Sequence, residues 1–457
     1  MRTLCPALTR ERSTAAPIKP VAPVSRIVIA LSKFQPRCRK TITHELYRGP
    51  FAFVIHRFRQ GNASDRLIKV PFDGNIFAML KFRFSLATPL TTLLIALSAC
   101  SGLPVRGTVG GQTIETRVDS EAARYYLANY LAGKHTNPIL DARIDQVYQT
   151  IDGKIPGRNE LKELTDEFSA DFAALLLADE ISRVPLNRQF RSTFDIAYDY
   201  ARKAVPKGSA RLPAEANRYE ALIVPTYLYN RPNFSGADLA APREALQKVG
   251  LTCHFVETSD DGPVESNAEI VMNAIRARAQ SGRRLIILSA SKSGAEVALA
   301  LTKLGSTETR HVAAWINTVG ALKGTPLIDD NLLPEMEFIV GKLNPAGIES
   351  MSVARSRERY KSFHVPPHIL VVNYFGIPVS GSVGFRARRN FFPLQKYGPN
   401  DGIILLADMI FPGGITLIEL GSDHFLMDQH LDVTAVALAI TVIQWLENPA
   451  GEISAFP

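Results

Sequence analysis

The segment from Arg284 to Leu301 constrains the fold more than any other part of the chain. Its apolar residues Leu285 to Leu288 precede a run of small residues, and apolar residues at helical spacing follow that run. A short apolar run of this kind is consistent with a buried strand, and the later spacing is that of a helix facing a core. The segment therefore predicts a buried strand, a tight turn and a helix.

The turn itself contains the pattern Ser289-x-Ser291-x-Ser293-Gly294. This pattern has the shape of the G-x-S-x-G nucleophile elbow, with serine at both glycine positions. The elbow needs small flanking residues because its central serine is held in a sharp, strained conformation between strand and helix. Ser291 is therefore the predicted nucleophile, and the backbone amide of Lys292 is the predicted oxyanion donor. A purely structural turn is the alternative that these residues alone leave open.

The same turn also matches a second catalytic pattern. Ser289-Ala290-Ser291-Lys292 has the form S-x-x-K, the nucleophile and base of penicillin-binding enzymes. The S-D-N and K-T-G partners of that pattern do not follow it, and the nearest string is Lys323-Gly324-Thr325. The S-x-x-K interpretation is the weaker of the two for this reason.

Charge is distributed unevenly along the 457 residues. Residues 1–99 contain 16 Lys and Arg against 4 Asp and Glu, whereas residues 100–457 contain 36 against 40. The net charge of +8 therefore arises from the first stretch. The rest of the chain lacks the basic balance of a nucleic-acid-binding protein, so no nucleic-acid partner is predicted.

A basic segment, a short apolar run and small residues follow one another over residues 79–99. This order is typical of a secretory signal peptide, and the run is too short for a spanning helix. The last residues, Leu97-Ser98-Ala99-Cys100, resemble the lipobox of bacterial lipoproteins, which implies lipid modification of Cys100 and a membrane anchor. A plain signal peptide and a chance apolar run are the alternatives.

A signal peptide must be N-terminal to function, so we expect translation to begin at Met79. Residues 1–78 are then a non-native leader from an over-extended start. The lipobox resemblance implies a lipid-anchored protein of the cell envelope, and Ser101 resembles the residue found in lipoproteins sent to the outer membrane. The glycine-rich residues 100–118 are predicted to be a tether.

The remaining chain divides into two parts by its periodicity. Helical spacing dominates residues 119–205, and strands alternate with helices over residues 206–457. Strands that are separated by single helices imply a parallel sheet with right-handed crossovers. Residues 326–362 exceed the length of a crossover and are predicted to form a cap insertion. The predicted fold class is α/β, with a mostly parallel sheet, helices on both faces and a helical N-terminal region before it.

Two short loop sequences follow predicted strands at the same edge of this sheet. Asn400-Asp401-Gly402 lies in the loop after the strand predicted at residues 368–374, and Ser422-Asp423-His424 directly follows the last strand. Carboxyl ends of parallel strands share one edge, so an acid and a histidine are expected near the elbow serine. The chain order Ser, Asp, His is that of α/β-hydrolases. Asp423 is the alternative acid, and His430 is the weaker alternative base.

From about residue 218 to residue 446 the chain resembles a serine hydrolase of the α/β-hydrolase fold. The resemblance implies that Ser291 is the nucleophile, Asp401 the acid and His424 the base. The His-Gly pair expected after the first strand of the alternation is missing. Because Pro225-Thr226-Tyr227 stands in its place, the amide of Thr226 or Tyr227 is expected to supply the second oxyanion donor.

The resemblance implies cleavage of a carboxylic ester through an acyl-enzyme intermediate, with no metal and no organic cofactor. The substrate class is a lipid ester or a small acyl ester, and esterase, lipase and thioesterase activities are not distinguished. The alternative from another functional class is a non-catalytic envelope lipoprotein that uses a degenerate α/β-hydrolase scaffold for binding.

Overall fold

The computed structural model describes residues 102–231, 236–330, 342–426 and 430–448. The predicted leader, the predicted signal peptide and Cys100 lie outside these residues. Residues 331–341 of the predicted cap insertion also lie outside them. The predictions that the structure addresses therefore begin at Gly102.

The prediction of a tether over residues 100–118 is wrong from Leu103 onward, because a β-hairpin occupies that segment. Its antiparallel strands are β1, Leu103–Val109, and β2, Gln112–Val118. Gly110 and Gly111 turn the chain with φ values of 55° and 84°, and a two-residue turn of type I′ requires positive φ at both positions. The glycines that suggested a flexible tether therefore form the tight turn of a hairpin.

The region predicted as helical, residues 119–205, is confirmed. Its helices are α1, Glu121–Ala128; α2, Pro138–Ile151; α3, Arg158–Glu167; α4, Ala170–Arg183; and α5, Pro185–Ala204, with a 3-10 helix at Tyr130–Ala132. The Ser169 hydroxyl accepts a hydrogen bond from the Phe172 amide at 3.2 Å and so caps the start of α4. Most side chains of α4 are buried, which places this helix at the centre of the region.

A six-stranded sheet follows, and it is parallel throughout. Its strands are β3, Tyr219–Val224; β4, Thr252–Phe255; β5, Arg284–Ala290; β6, Val312–Thr318; β7, Leu370–Ile377; and β8, Ile415–Leu420. The strand order is β4-β3-β5-β6-β7-β8. The predicted parallel sheet is therefore confirmed, and the segment from Arg284 to Leu301 contributes its central strand β5.

Helices cover both faces of the sheet, as predicted. The described helices after β3 are α6, Ala240–Lys248; α7, Val264–Arg278; α8, Lys292–Glu308; α9, Pro326–Asp329; α10, Pro345–Glu349; α11, Val353–Lys361; α12, Phe385–Leu394; and α13, Leu431–Glu447. Shorter 3-10 helices lie at Ala214–Arg218, Gln395–Tyr397 and Leu406–Met409. None of the described helices is long and apolar enough to cross a membrane.

Two apolar cores lie on opposite faces of the sheet. Ile286 of β5 joins the core that contains α6, α13 and the N-terminal helices. Its neighbours Leu285 and Ile287 join the core that contains α7 and α8. Alternate strand residues point to opposite faces, so a run of consecutive apolar residues in β5 is what burial on both faces requires.

Strand β8 lies at the edge of the sheet, and side chains from the N-terminal region bond to its outer backbone groups. Asn187 Oδ1 accepts from the Thr416 amide at 2.8 Å. The Gln112 side chain accepts from the Leu420 amide at 2.9 Å and donates to the Ile418 carbonyl at 3.0 Å. Unpaired edge strands are templates for pairing with other chains. The hairpin and α5 therefore close this edge of the sheet.

The helices α9, α10 and α11 fall within residues 326–362, where the cap insertion was predicted. Ser350 Oγ accepts from the Val264 amide at 3.2 Å, and Arg359 donates to Glu265 Oε1 at 2.7 Å. These contacts attach α10 and α11 to the start of α7. Because residues 331–341 are not described, the covering role of this segment stays a prediction.

Candidate active site

The turn between β5 and α8 holds Ser291 in a strained backbone conformation. Its φ of 54° and ψ of −123° lie in a region that residues with a Cβ rarely adopt. The loop after β6 fixes this geometry, because the Ser291 amide donates to the Thr318 carbonyl and the Ala321 amide donates to the Ser291 carbonyl, both at 2.9 Å. The turn therefore has the sharp elbow geometry that the sequence pattern predicts, and Ser291 Oγ stands at the carboxyl edge of the sheet.

The serines at the two glycine positions of the elbow are both hydrogen-bonded. Ser289 is fully buried, and its hydroxyl accepts from Trp315 Nε1 at 2.8 Å. The Ser293 hydroxyl accepts from the Ala290 amide at 2.9 Å and donates to the Val224 carbonyl at 3.0 Å. Serine thus replaces glycine at these positions without leaving a buried polar group unpaired.

His424 contacts both of the residues predicted as its partners. Its Nε2 lies 3.2 Å from Ser291 Oγ, and its Nδ1 lies 2.7 Å from Asp401 Oδ2. A carboxylate can only accept here, so Nδ1 carries the proton and Nε2 is left to accept from the serine hydroxyl. The structure therefore brings Ser291, His424 and Asp401 together in one hydrogen-bonded chain.

Asp401 is fully buried, and the backbone around it holds its carboxylate in place. Its Oδ1 accepts from the amides of Ile403 at 2.9 Å and Ile404 at 2.7 Å. The His424 amide also donates to the Asp401 carbonyl at 2.9 Å. One carboxylate oxygen is thus satisfied by backbone amides, and the other faces the imidazole.

The alternative acid, Asp423, is occupied elsewhere. Its Oδ2 accepts from the Gly384 amide at 2.8 Å, and its Oδ1 accepts from the Phe425 amide at 3.0 Å. Burial raises the pKa of Asp423, and these two hydrogen bonds oppose the rise. Asp423 therefore ties the loop after β8 to the start of α12. The alternative base, His430, is exposed just before α13.

The predicted oxyanion donors differ in their surroundings. Lys292 is the first residue of α8, and amides of a first helical turn have no acceptor within the helix. The Thr226 amide donates to the Ala237 carbonyl at 3.0 Å, so the structure contradicts Thr226 as an oxyanion donor. Tyr227 stays a prediction for the second donor.

A buried ion pair beside the nucleophile was not predicted from the sequence. The Lys292 ammonium pairs with the Glu296 carboxylate, and both side chains are 2% exposed. Glu296 also accepts from Asn267 Nδ2 at 2.8 Å. Asn267 in turn bonds to both backbone groups of Ser259 in the loop that leads to α7. The signal was a Lys and a Glu four residues apart at the start of a helix whose other residues up to Leu301 are small or apolar.

This ion pair also bears on the S-x-x-K interpretation. The lysine of that pattern would have to act on a nearby serine, but the Lys292 ammonium is held by Glu296. The serine of that pattern, Ser289, is buried and bonded to Trp315. The structure therefore contradicts this alternative. Among the described residues, no group of three or more His, Cys, Asp or Glu is arranged to hold a metal ion.

Several solved structures are similar to this chain. A metagenomic carboxyl esterase is 18% identical over 52% of this chain and 78% of its own, with a TM-score of 0.42. The mature lipase of Bacillus licheniformis is 19% identical over 46% of this chain and 86% of its own, with a TM-score of 0.38. A type II thioesterase of the yersiniabactin pathway is 11% identical over 46% and 88%, with a TM-score of 0.24.

No protein-family model matches the chain, and no curated protein sequence matches it. The fold is of the α/β class, with a parallel six-stranded sheet and helices on both faces.

The buried Lys292–Glu296 pair predicts a large loss of stability when one partner is removed. Lys292→Met should lower the free energy of unfolding by about 3 kcal/mol, because it leaves the Glu296 charge buried without a cation. Lys303 on the same helix pairs with Glu269, but these side chains are 41% and 53% exposed. Lys303→Met should therefore cost less than about 1 kcal/mol. Chemical denaturation of both variants measures the difference, and equal losses would contradict the prediction.

Proposed function

We propose that this chain is a serine hydrolase that cleaves carboxylic esters through an acyl-enzyme intermediate. The observation that carries the proposal is the hydrogen-bonded chain from Ser291 Oγ through His424 to Asp401. A serine hydroxyl is a poor nucleophile unless a neighbouring base takes its proton. His424 Nε2 lies at the distance that this proton transfer requires.

In the first half of the reaction, Ser291 Oγ attacks the carbonyl carbon of the ester while His424 Nε2 takes the hydroxyl proton. The tetrahedral intermediate collapses, the bond to the alcohol oxygen breaks, and His424 returns the proton to the leaving alcohol. A water molecule then attacks the acyl-serine, again giving its proton to His424, and the free acid leaves as Ser291 recovers its proton. Asp401 keeps the imidazole in the required tautomer and stabilises its cationic form.

Backbone amides stabilise the negative oxygen of each tetrahedral intermediate. We assign the Lys292 amide and the Tyr227 amide to this role, and one such donor contributes about 3 kcal/mol to lowering the barrier. None of these steps requires a metal or an organic cofactor. The proposed substrate is a lipid ester or a small acyl ester.

We also propose that the protein is lipid-anchored at Cys100 in the cell envelope, at the outer membrane. The support lies in the sequence, where Leu97-Ser98-Ala99-Cys100 follows a basic and then an apolar segment. An anchored hydrolase would meet esters that are presented at a membrane surface. The anchor and the location are proposals independent of the chemistry at Ser291.

A fluorophosphonate probe tests the proposed chemistry directly, because it reacts with activated serines. The wild-type protein and Ser289→Ala should be labelled, and Ser291→Ala should not be labelled. Ser289→Ala is the matched control, since it changes a serine of the same turn and leaves the contact to His424 intact. If Ser289→Ala lost labelling and Ser291→Ala kept it, Ser291 would be misassigned as the nucleophile. A folded wild-type protein that is unlabelled between pH 6 and 9 would favour the non-catalytic binding scaffold.

The two neighbouring acids should differ sharply in their effect on turnover. Asp401→Asn should lower kcat by about 10³ to 10⁴, because the amide would favour the wrong histidine tautomer. Asp423→Asn should lower kcat by less than about tenfold, since Asp423 bonds to loop amides. Hydrolysis of a soluble ester measures kcat, and thermal melts verify folding. An active Asp401→Asn beside an inactive, folded Asp423→Asn would show that the acid is misassigned.

The proposed anchor predicts a covalent lipid on Cys100. Wild-type protein produced in bacteria should incorporate a palmitate analogue, and Cys100→Ala should incorporate none because its lipobox lacks the cysteine that receives the lipid. A form that begins at Met79 should be labelled as fully as the long form. Cell fractionation gives the location, and labelling of Cys100→Ala at the wild-type level would refute the lipobox interpretation.

A further inference from the structure

Helix α12 presents two faces of opposite character. Ala387, Phe391 and Leu394 are buried, and their spacing places them on one side of the helix. Phe385 and Phe392, seven residues apart, lie on the other side, where Phe385 is 94% exposed and Phe392 is 42% exposed. A single exposed apolar residue is normal at a protein surface, but two aromatic rings on one helix face indicate a binding surface.

The same outer face carries positive charge. Helix α12 contains Arg386, Arg388 and Arg389 and no Asp or Glu. Arg386 and Arg388 are exposed, and the Arg388 guanidinium lies 5.7 Å from the centre of the Phe392 ring. Since residues 100–457 contain more acidic than basic residues, this positive surface is a local feature of α12.

The inner face of α12 is braced on the loops that hold the site. Asn400, next to the acid Asp401, donates to the Phe391 carbonyl at 3.1 Å. The Gly384 amide, just before the helix, donates to Asp423 beside His424. A surface that docks on the outer face of α12 would therefore lie close to the site.

We propose that the outer face of α12, defined by Phe385, Arg386, Arg388 and Phe392, docks on the surface of an anionic phospholipid bilayer. Aromatic side chains insert at the boundary between headgroups and acyl chains, and arginines pair with anionic headgroups. The exposed rings and the local positive charge of α12 supply both contributions. The proposal concerns binding alone and does not require Ser291 to be reactive.

Sedimentation with vesicles tests the proposal on the proposed mature chain, residues 100–457 carrying Cys100→Ala, which has neither the basic and apolar signal segment nor a lipobox cysteine for an anchor. Partitioning should be stronger to phosphatidylglycerol-containing vesicles than to pure phosphatidylcholine vesicles, and it should weaken with added salt. Replacing Phe385 and Phe392 together by Ala should lower partitioning about tenfold. Replacing Arg386 and Arg388 together by Gln should lower it by a similar factor only on the anionic vesicles.

The matched control is Ile139→Ala with Leu186→Ala, because these residues are apolar and 76% and 47% exposed on α2 and α5. The control should partition like the parent protein, and all variants should react equally with a fluorophosphonate probe if Ser291 is reactive at all. Equal partitioning of the phenylalanine variant and its parent would overturn the proposal. A parent that forms dimers through these rings without binding vesicles would also overturn it.

Discussion

The backbone of Ser291 is the constraint on which the rest of the site depends. A residue with a Cβ at a φ of 54° is held there only if the surroundings oppose its relaxation. Hydrogen bonds between Ser291 and Thr318, at the end of β6, and between Ser291 and Ala321, in the loop after it, hold this conformation. The Ser293 hydroxyl links the turn to the end of β3. Three parallel strands therefore converge on one turn. The elbow is a property of the assembled sheet, and the local sequence supplies only residues small enough for it.

Polar side chains cross the sheet beneath this turn, one from each of four neighbouring strands. Ser289, Asn317, Asn373 and Thr416 occupy paired positions on β5, β6, β7 and β8. Asn317 donates to Asn373 Oδ1 at 3.2 Å, and Asn373 donates to Thr416 Oγ1 at 3.3 Å. A Cβ on Gly320 would come within 1.9 Å of Asn317 Oδ1, so the loop after β6 passes directly over this row. Buried polar groups need partners in fixed positions, and this row supplies them to the loop before β8, where Asn317 donates to the Met409 carbonyl at 3.1 Å and Asn373 Oδ1 accepts from the Phe411 amide at 3.0 Å.

Sequence periodicity predicted the sheet because its strands are short apolar runs. It predicted the three residues at the carboxyl edge because they lie in turns or loops that come after those runs. Each strand is a short apolar segment, and Asp401 and His424 lie in loops after β7 and β8. The hairpin was missed because its glycine pair was interpreted by composition, although alternating side chains flank it. The contact of Thr226 with Ala237 and the pair of Lys292 with Glu296 were beyond prediction for another reason. They depend on which groups meet across the fold, and spacing along the chain does not encode such meetings.

Hydrogen bonds join the region before the sheet to the loops that carry the candidate site. Gln112 of the hairpin accepts from the Leu420 amide, four residues before His424. Asp171 of α4 accepts from the amide and the hydroxyl of Ser380, in the loop that leads to Gly384 and so to Asp423. The end of β8 and the loop that leads to α12 are thus both hydrogen-bonded to residues that precede β3. Without these partners the edge of β8 and the Ser380 loop would expose unpaired backbone groups. The hairpin and the N-terminal helices therefore help to position His424, together with the parallel sheet.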